Sequence, residues 1–373
     1  MNKTPLHDIQ VAAGGVAATF GDWERVVLLG DPEAEAEVAH KSAIILDSSS
    51  FGKFLISGPD AARAIGRVIP KSIEDLPVGA VTHFVTLNEE GRGVDDGVVG
   101  RRSNEEFYLT TSTAKSGIFE DWIKTHCEGI DFDYRLQNLS STMASINLAG
   151  PKSREILAEL AETDISNDAL PFMHMMDADV AGIACTIMRI GFLGELGFEL
   201  HVPADCAEDI WKRLLEVGEP LGAQATAIMG MSHLRLEKGH IIPGHDTDAD
   251  ATIFEAGMGF AWDKSHTGFV GEDALRALAD EPRKRRIVRF KVDGRSSVDP
   301  TSVMLAGDRE VGKMPSVHYS RVLDQTIGIS LAENDPELVI DGKARIKTED
   351  GIVEVDVLKG HSFWDPKGER MKG

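Results

Sequence analysis

Only three cysteines occur in 373 residues, and Cys127, Cys185 and Cys206 are far apart, with no Cys-x-x-Cys pair among them. So sparse and odd a set argues against a disulfide framework or a thiolate zinc site and points to a reducing compartment. Basic residues are the minority, 39 lysines and arginines against 61 aspartates and glutamates, for a formal charge of −22. A field of that sign repels nucleic-acid and anionic-membrane phosphates alike, so neither is expected as the main partner. No stretch reaches the roughly 20 apolar residues that span a bilayer. The opening Met1-Asn2-Lys3-Thr4-Pro5-Leu6-His7-Asp8 has no apolar core of signal-peptide length. The expected location is cytoplasmic. Two catalytic signatures are also missing, the Gly-x-Ser-x-Gly nucleophile elbow and the Gly-x4-Gly-Lys-Ser/Thr phosphate loop.

What remains is an ordinary globular composition, 42% hydrophobic and 27% charged, on a chain long enough for about two to three domains. From Lys53 to about Leu136 strand and helix signals alternate: a strand at 53–57, a helix opened by Gly58-Pro59-Asp60, and a hairpin of Val81 to Asn88 with Val94 to Gly100. A strand at Glu106 to Thr111, a helix carrying Ile118, Phe119, Trp122 and Ile123, and a last strand near Phe132 to Leu136 follow. This β-α-β-β-(β)-α-β order predicts a ferredoxin-like unit. A second α/β region has helices at 151–160, 205–217 and 228–238 and strands at 185–190 and 198–202. The run Glu281-Pro282-Arg283-Lys284-Arg285-Arg286 reads as a solvated linker and domain boundary. Beyond it, short strands at 287–292, 317–322, 326–332 and 344–348 between Gly and Asp turns predict an all-β barrel or sandwich.

Three segments could carry chemistry. Asp95-Asp96 lies in the returning strand of the hairpin, and a register in which paired positions sum to 181 sets Val85 opposite Asp96 and His83 opposite Val98. His83 and Asp96 are then diagonal neighbours on one face, near enough to line one pocket. The alternative is a solvated, turn-proximal acid pair. Gly191 to Leu200 is rich in glycine, which permits close approach of the backbone to a flat ligand, and Glu199 falls on the strand face opposite Phe198 and Leu200. The alternative there is a solvated carboxylate. His240 to Asp250 looks superficially like a metal loop, but read as an EF-hand from Asp246 it has Ala251 where glycine is needed and Gly257 where the bidentate Glu belongs. A hydrogen-bonded polar loop is expected, and no metal site.

Taken in order, these segments resemble the glycine-cleavage T-protein family. The likeness rests on Thr4-Pro5-Leu6-His7 with Gly21-Asp22-Trp23, Asp47 through Phe51-Gly52-Lys53, and Gly58-Pro59-Asp60-Ala61. It continues through Asn88-Glu89-Glu90-Gly91 with Asp95-Asp96, Ala149-Gly150-Pro151, Gly194 to Glu199, Leu234-Arg235-Leu236-Glu237 and Phe269-Val270-Gly271. Each motif is weak alone; collinear over nearly the whole chain they are strong.

The resemblance implies an α+β, three-domain cloverleaf with tetrahydrofolate in a central channel. Its domains would be a folate-binding region of residues 1–51 and 138–280, a ferredoxin-like domain of 52–137 and a C-terminal β-barrel of 281–373. It also implies one-carbon transfer to the folate, with Asp96 as the catalytic aspartate, Glu199 on the amino-pyrimidine edge of the pterin, and Phe192 where the T-proteins carry a stacking tyrosine. His83 and His240 stand in place of tyrosines and Met231 in place of an arginine, so His83 becomes a substrate or proton contact and His240 and Met231 pocket candidates. Residues 164–173 and 194–197 are closer to the folate-binding part of the sarcosine oxidase alpha subunit, to dimethylglycine dehydrogenase and to stand-alone folate-dependent demethylases. Expected partners are a small methylated substrate and a flavoprotein oxidase or a carrier protein.

Overall fold

The computed structural model describes residues 1–113 and 116–373. Its strands form three larger sheets and a small N-terminal one. The six-stranded sheet runs in the order His174–Val180, Ile183–Arg189, Gly197–Pro203, Met143–Ala149, Ile44–Asp47 and Gln224–Thr226. Alternation along Gly197–Pro203 drives Phe198, Leu200 and Val202 into a core shared with Ile210, Trp211 and Leu214 of the helix Ala207–Gly218. The polar residues between them are left for the opposite face. On that face, helices Pro32–Lys41 and Ile228–Glu237 pack through Ala36, Ala39, Met231 and Leu234 against Ile44 and Leu46.

The five-stranded sheet has the order Val81–Leu87, Gly93–Ser103, Glu106–Thr111, Gly52–Ser57 and Arg135–Asn138. Helices Ala61–Gly66 and Ser116–Cys127 cover one side through Ala64, Ile65, Phe119 and Ile123. Ile118 of the second helix is exposed. The last strand begins later than expected, at Arg135. The Asp133 N–H is engaged by the Asp60 carboxylate (3.0 Å) and its carbonyl by the Asp60 N–H (3.1 Å), which ties residue 133 to the helix start rather than to the ladder.

The third sheet closes into a six-stranded barrel of Arg285–Asp293, Val303–Ala306, Arg309–Ser320, Gln325–Glu333, Lys343–Thr348 and Gly351–Val357. The fold is thus α+β and multidomain, ending in a barrel. The basic run before the barrel is not simply a solvated linker. The Arg283 guanidinium lies 4.2 Å from the Phe254 ring centre, and Arg285 opens the first barrel strand while pairing with Asp248 (2.5 Å) and Glu255 (3.3 Å). Among the described residues, no helix is long and apolar enough to cross a membrane.

Candidate active site

The hairpin has the expected register, with Val85 paired to Asp96, His83 to Val98 and Thr86 to Asp95. Period-two alternation therefore puts Val81, His83, Val85, Asp96 and Val98 on one face. Val81 and Val98 join an apolar contact with Tyr108, Met175, Met188 and Ile190, while Val85 packs with Ile253, Met258 and Phe269. His83 and Asp96 thus lie between two apolar patches, on the face turned toward the six-stranded sheet. Their contact is direct, His83 Nε2 to Asp96 Oδ2 at 2.9 Å, with each side chain about one-quarter exposed (26% and 25%). His83 Nδ1 is shielded and has no hydrogen-bond partner among the described residues, and the Phe260 ring sits 5.5 Å away. Asp95 belongs to the other face; burial raises its carboxyl to about 7, with a hydrogen bond from Ser112 opposing the shift and the charge of Asp96 adding to it.

Across the interface, Glu199 is paired with Asn147 on one neighbouring strand and with Met188 on the other. It is buried rather than solvated. Its Oε2 and the Oδ1 of Asn147 are both shielded and form no hydrogen bond among the described residues. Because Met188 and Val81 share the apolar contact named above, Glu199 and Asp96 belong to sheet faces that meet at one place.

Nearby, Lys53 is completely buried, its Nζ donating to the carbonyls of Ser49 (2.7 Å) and Phe51 (2.8 Å). Burial lowers it to about 8 against the opposing charges of Asp47 and Glu199.

Phe192 stacks on His240, with ring centres 5.7 Å apart and planes at 21°, and its carbonyl accepts from His240 Nδ1–H at 2.8 Å. Burial, with the neighbouring charges of Lys238, Arg289 and His83, pulls His240 down to about 4, so the ring is neutral near pH 7. Met231, a pocket candidate by sequence, is instead packed in the apolar cluster with Ala36, Ile44, Leu46 and Leu234. The structure therefore pairs His83 with Asp96 and Phe192 with His240, sets Glu199 beside Met188 on the sheet face that meets the hairpin, and leaves Met231 in the core.

The glycine-rich loop has a reason beyond ligand approach. A Cβ on Gly191 would meet Met371 Sδ at 2.9 Å, and one on Gly194, whose φ is +80°, would meet Lys238 Cβ at 2.9 Å. Protein side chains occupy the space those glycines leave. Between them and the strand, Glu195 is a hub: it accepts from His40 Nδ1 (2.6 Å), Trp364 Nε1 (3.0 Å) and Arg370 Nε (2.7 Å), while His40 Nε2 bonds Glu237 (2.6 Å). The polar loop after His240 is likewise internally engaged, because Asp246 pairs with the fully buried Arg235 at 2.6 Å.

Sequence reasoning missed Lys53, Tyr108, Asn147, His201 and Phe260. A lysine inside the otherwise apolar run Phe51 to Ile56 was a usable signal, since a buried cation requires acceptors. Nothing local marks the other four.

Two sheets with helices and a closing barrel define a class, multidomain α+β proteins, here with one acid-bearing face on each of the two sheets. The profile described as GCVT N-terminal domain matches residues 6–266. The aminomethyltransferase of Alkaliphilus oremlandii is 29% identical over 352 residues, covering 93% of this chain and 95% of that one. That of Listeria monocytogenes is 30% identical over 333 residues, 89% and 90% of the two chains. The crystal structure of glycine cleavage system aminomethyltransferase T from Bartonella henselae superposes with a TM-score of 0.84 at 20% identity, covering 95% of this chain and 96% of that one, a likeness of fold. The chain belongs to the GCVT family, and with it to the tetrahydrofolate-dependent transferases. The pyrimidine edge of tetrahydrofolate presents N–H donors, and two buried acceptors that form no hydrogen bond among the described residues, Glu199 Oε2 and Asn147 Oδ1, stand on adjacent paired strands, so the residues present fit that group.

Proposed function

We propose that the protein transfers a methyl or aminomethyl group to tetrahydrofolate from a small methylated amine, betaine, sulfonium or ether. The observation that supports this best is the His83–Asp96 pair, 2.9 Å across, beside Phe260 and on the sheet face that meets the one bearing Glu199. When bound, tetrahydrofolate supplies the secondary amine that takes up the one-carbon unit. Glu199 accepts the parallel N–H donors of the pterin edge, a charge-assisted arrangement, and Asn147 offers a further acceptor. Phe192 lends a flat apolar face. The Asp96 Oδ2 and His83 Nε2 pair, 2.9 Å across, holds a carboxylate and an imidazole in hydrogen-bond contact, the pair of groups that a proton transfer at the folate amine needs. The ring faces of Phe260 and Phe192 suit a cationic methyl donor, and the apolar patches on either side of the pair exclude water around aligned reactants.

A second reading is a glycine-cleavage T-protein fed by an aminomethylated carrier, which the relatives named aminomethyltransferase favour. Product analysis separates the readings. The protein is incubated with tetrahydrofolate and each donor class, and 5-methyl- and 5,10-methylene-tetrahydrofolate are quantified. Methyl product from a free donor supports the proposal. Methylene product only with an aminomethylated lipoyl carrier establishes the second reading; methylene product only with a flavoprotein oxidase makes the chain a formaldehyde-capturing subunit. Asp96→Asn should lower turnover by about 10²–10⁴-fold while tetrahydrofolate still binds; unchanged turnover refutes the role of Asp96.

A further inference from the structure

Glu199 is not left to orient itself. Behind it stands a buried chain that reaches the facing sheet: Tyr108 of that sheet, 2% exposed, meets His201 Nδ1 through its hydroxyl at 3.1 Å, and His201, fully buried on Glu199's own strand, presents Nε2 to Glu199 Oε2 at 3.4 Å. The two rings are packed edge to face, with centres 5.1 Å apart and planes at 71°. Burial, followed by the charge of Glu199, holds the phenol of Tyr108 well above its ordinary range, so it keeps its proton, and it donates to Nδ1 in the tautomer that carries its hydrogen on Nε2. A lone pair on Nε2 would then face a carboxylate oxygen in a dry interface, two acceptors opposed, whereas Nε2–H faces it favourably. The 3.4 Å gap leaves both atoms without a formed hydrogen bond, close enough for the pair to tighten when a ligand draws the carboxylate into line.

We propose that Tyr108 and His201 are positioning residues that aim the Glu199 carboxylate at the pterin edge, an inference that rests on Glu199 accepting that edge. Tyr108 reaches His201 from the other sheet, so the same chain couples ligand grip to the docking of the two sheets that form the cleft.

The test is calorimetric titration of tetrahydrofolate under anaerobic conditions into the full-length protein and into Tyr108→Phe, His201→Leu, His201→Gln and Glu199→Gln, with the double variant Tyr108→Phe/Glu199→Gln. Tyr108→Phe keeps the packed ring and removes one O–H, so it tests the chain in a folded protein; thermal melts of every variant accompany the titrations. Tyr108→Phe should raise Kd about three- to tenfold, and His201→Leu more. His201→Gln, which retains an N–H donor near the Nε2 position, should recover part of the loss. The decisive comparison is the double variant: in the Glu199→Gln background Tyr108→Phe should change Kd no further. An equal loss in both backgrounds, or no loss from Tyr108→Phe while Glu199→Gln weakens binding, overturns the positioning role. Unchanged binding in Glu199→Gln alone overturns the reading on which the role rests.

Discussion

Replacing His40 with glutamine should flatten the dependence of stability on pH. His40 lies on the helix Pro32–Lys41, buried between Glu195 and Glu237, each 2.6 Å away, with the Trp364 ring against it. Burial disfavours its charged form, but the hydrogen bonds to Glu195 and Glu237 outweigh burial and hold it at about 8. Relative to an ordinary value of 6.5, that preference is worth about 2 kcal/mol. Because the folded state raises this pKa, the stabilisation is complete below about 6.5 and is lost as pH rises through 8. Equilibrium urea denaturation at pH 6 and pH 9 measures it. The wild-type protein should lose about 2 kcal/mol more than His40→Gln between the two pH values. Asp95, held at about 7, costs stability as pH climbs from about 4 to 7, but it does so in both proteins and cancels in the difference. Parallel profiles for the two proteins would refute the assignment of a charged His40. Glu195 also receives Arg370 and Trp364, so a weakened cluster should loosen the residues around 364–370 from the loop that carries Phe192.

Asp246→Ala leaves the fully buried Arg235 without its 2.6 Å partner and should cost about 3–5 kcal/mol in denaturant unfolding, while Arg235→Met/Asp246→Leu together should recover much of that loss. Gly239→Ala forces a side chain onto a residue with φ of +76° and drives its Cβ into the carbonyl of His361. A loss of more than about 2 kcal/mol is expected, the left-handed conformation alone accounting for about 1–2, and an unchanged melting temperature would refute the close approach.

How much was legible beforehand varies by element. In the Val81–Leu87 hairpin the side-chain period of two and the turn after Asn88 were enough to place His83 and Asp96 on one face in the correct register, because pairing in a hairpin is a local problem. The burial of Glu199 was only half legible: alternation set it opposite Phe198 and Leu200, but whether that second face met water or another sheet depended on how the sheets dock. Met231 shows the converse. Its position, where the resembled family carries an arginine, suggested a pocket, while the packing of Pro32–Lys41 on Ile228–Glu237 surrounds it with alanine and leucine side chains. The glycines of 191–197 were conspicuous in the sequence, yet the groups that require them, Met371 and Lys238, lie far along the chain.

The sequence by itself determined the strand faces, the hairpin register and the motif order that marks the family. Tertiary structure alone decided that Phe260 sits beside His83, that Tyr108 reaches His201 across 93 positions, and that Glu195 gathers His40, Trp364 and Arg370. Periodicity describes which way a side chain leaves its own backbone. What it meets there is settled by the docking of separate sheets and helices, and that depends on the summed packing of the whole chain.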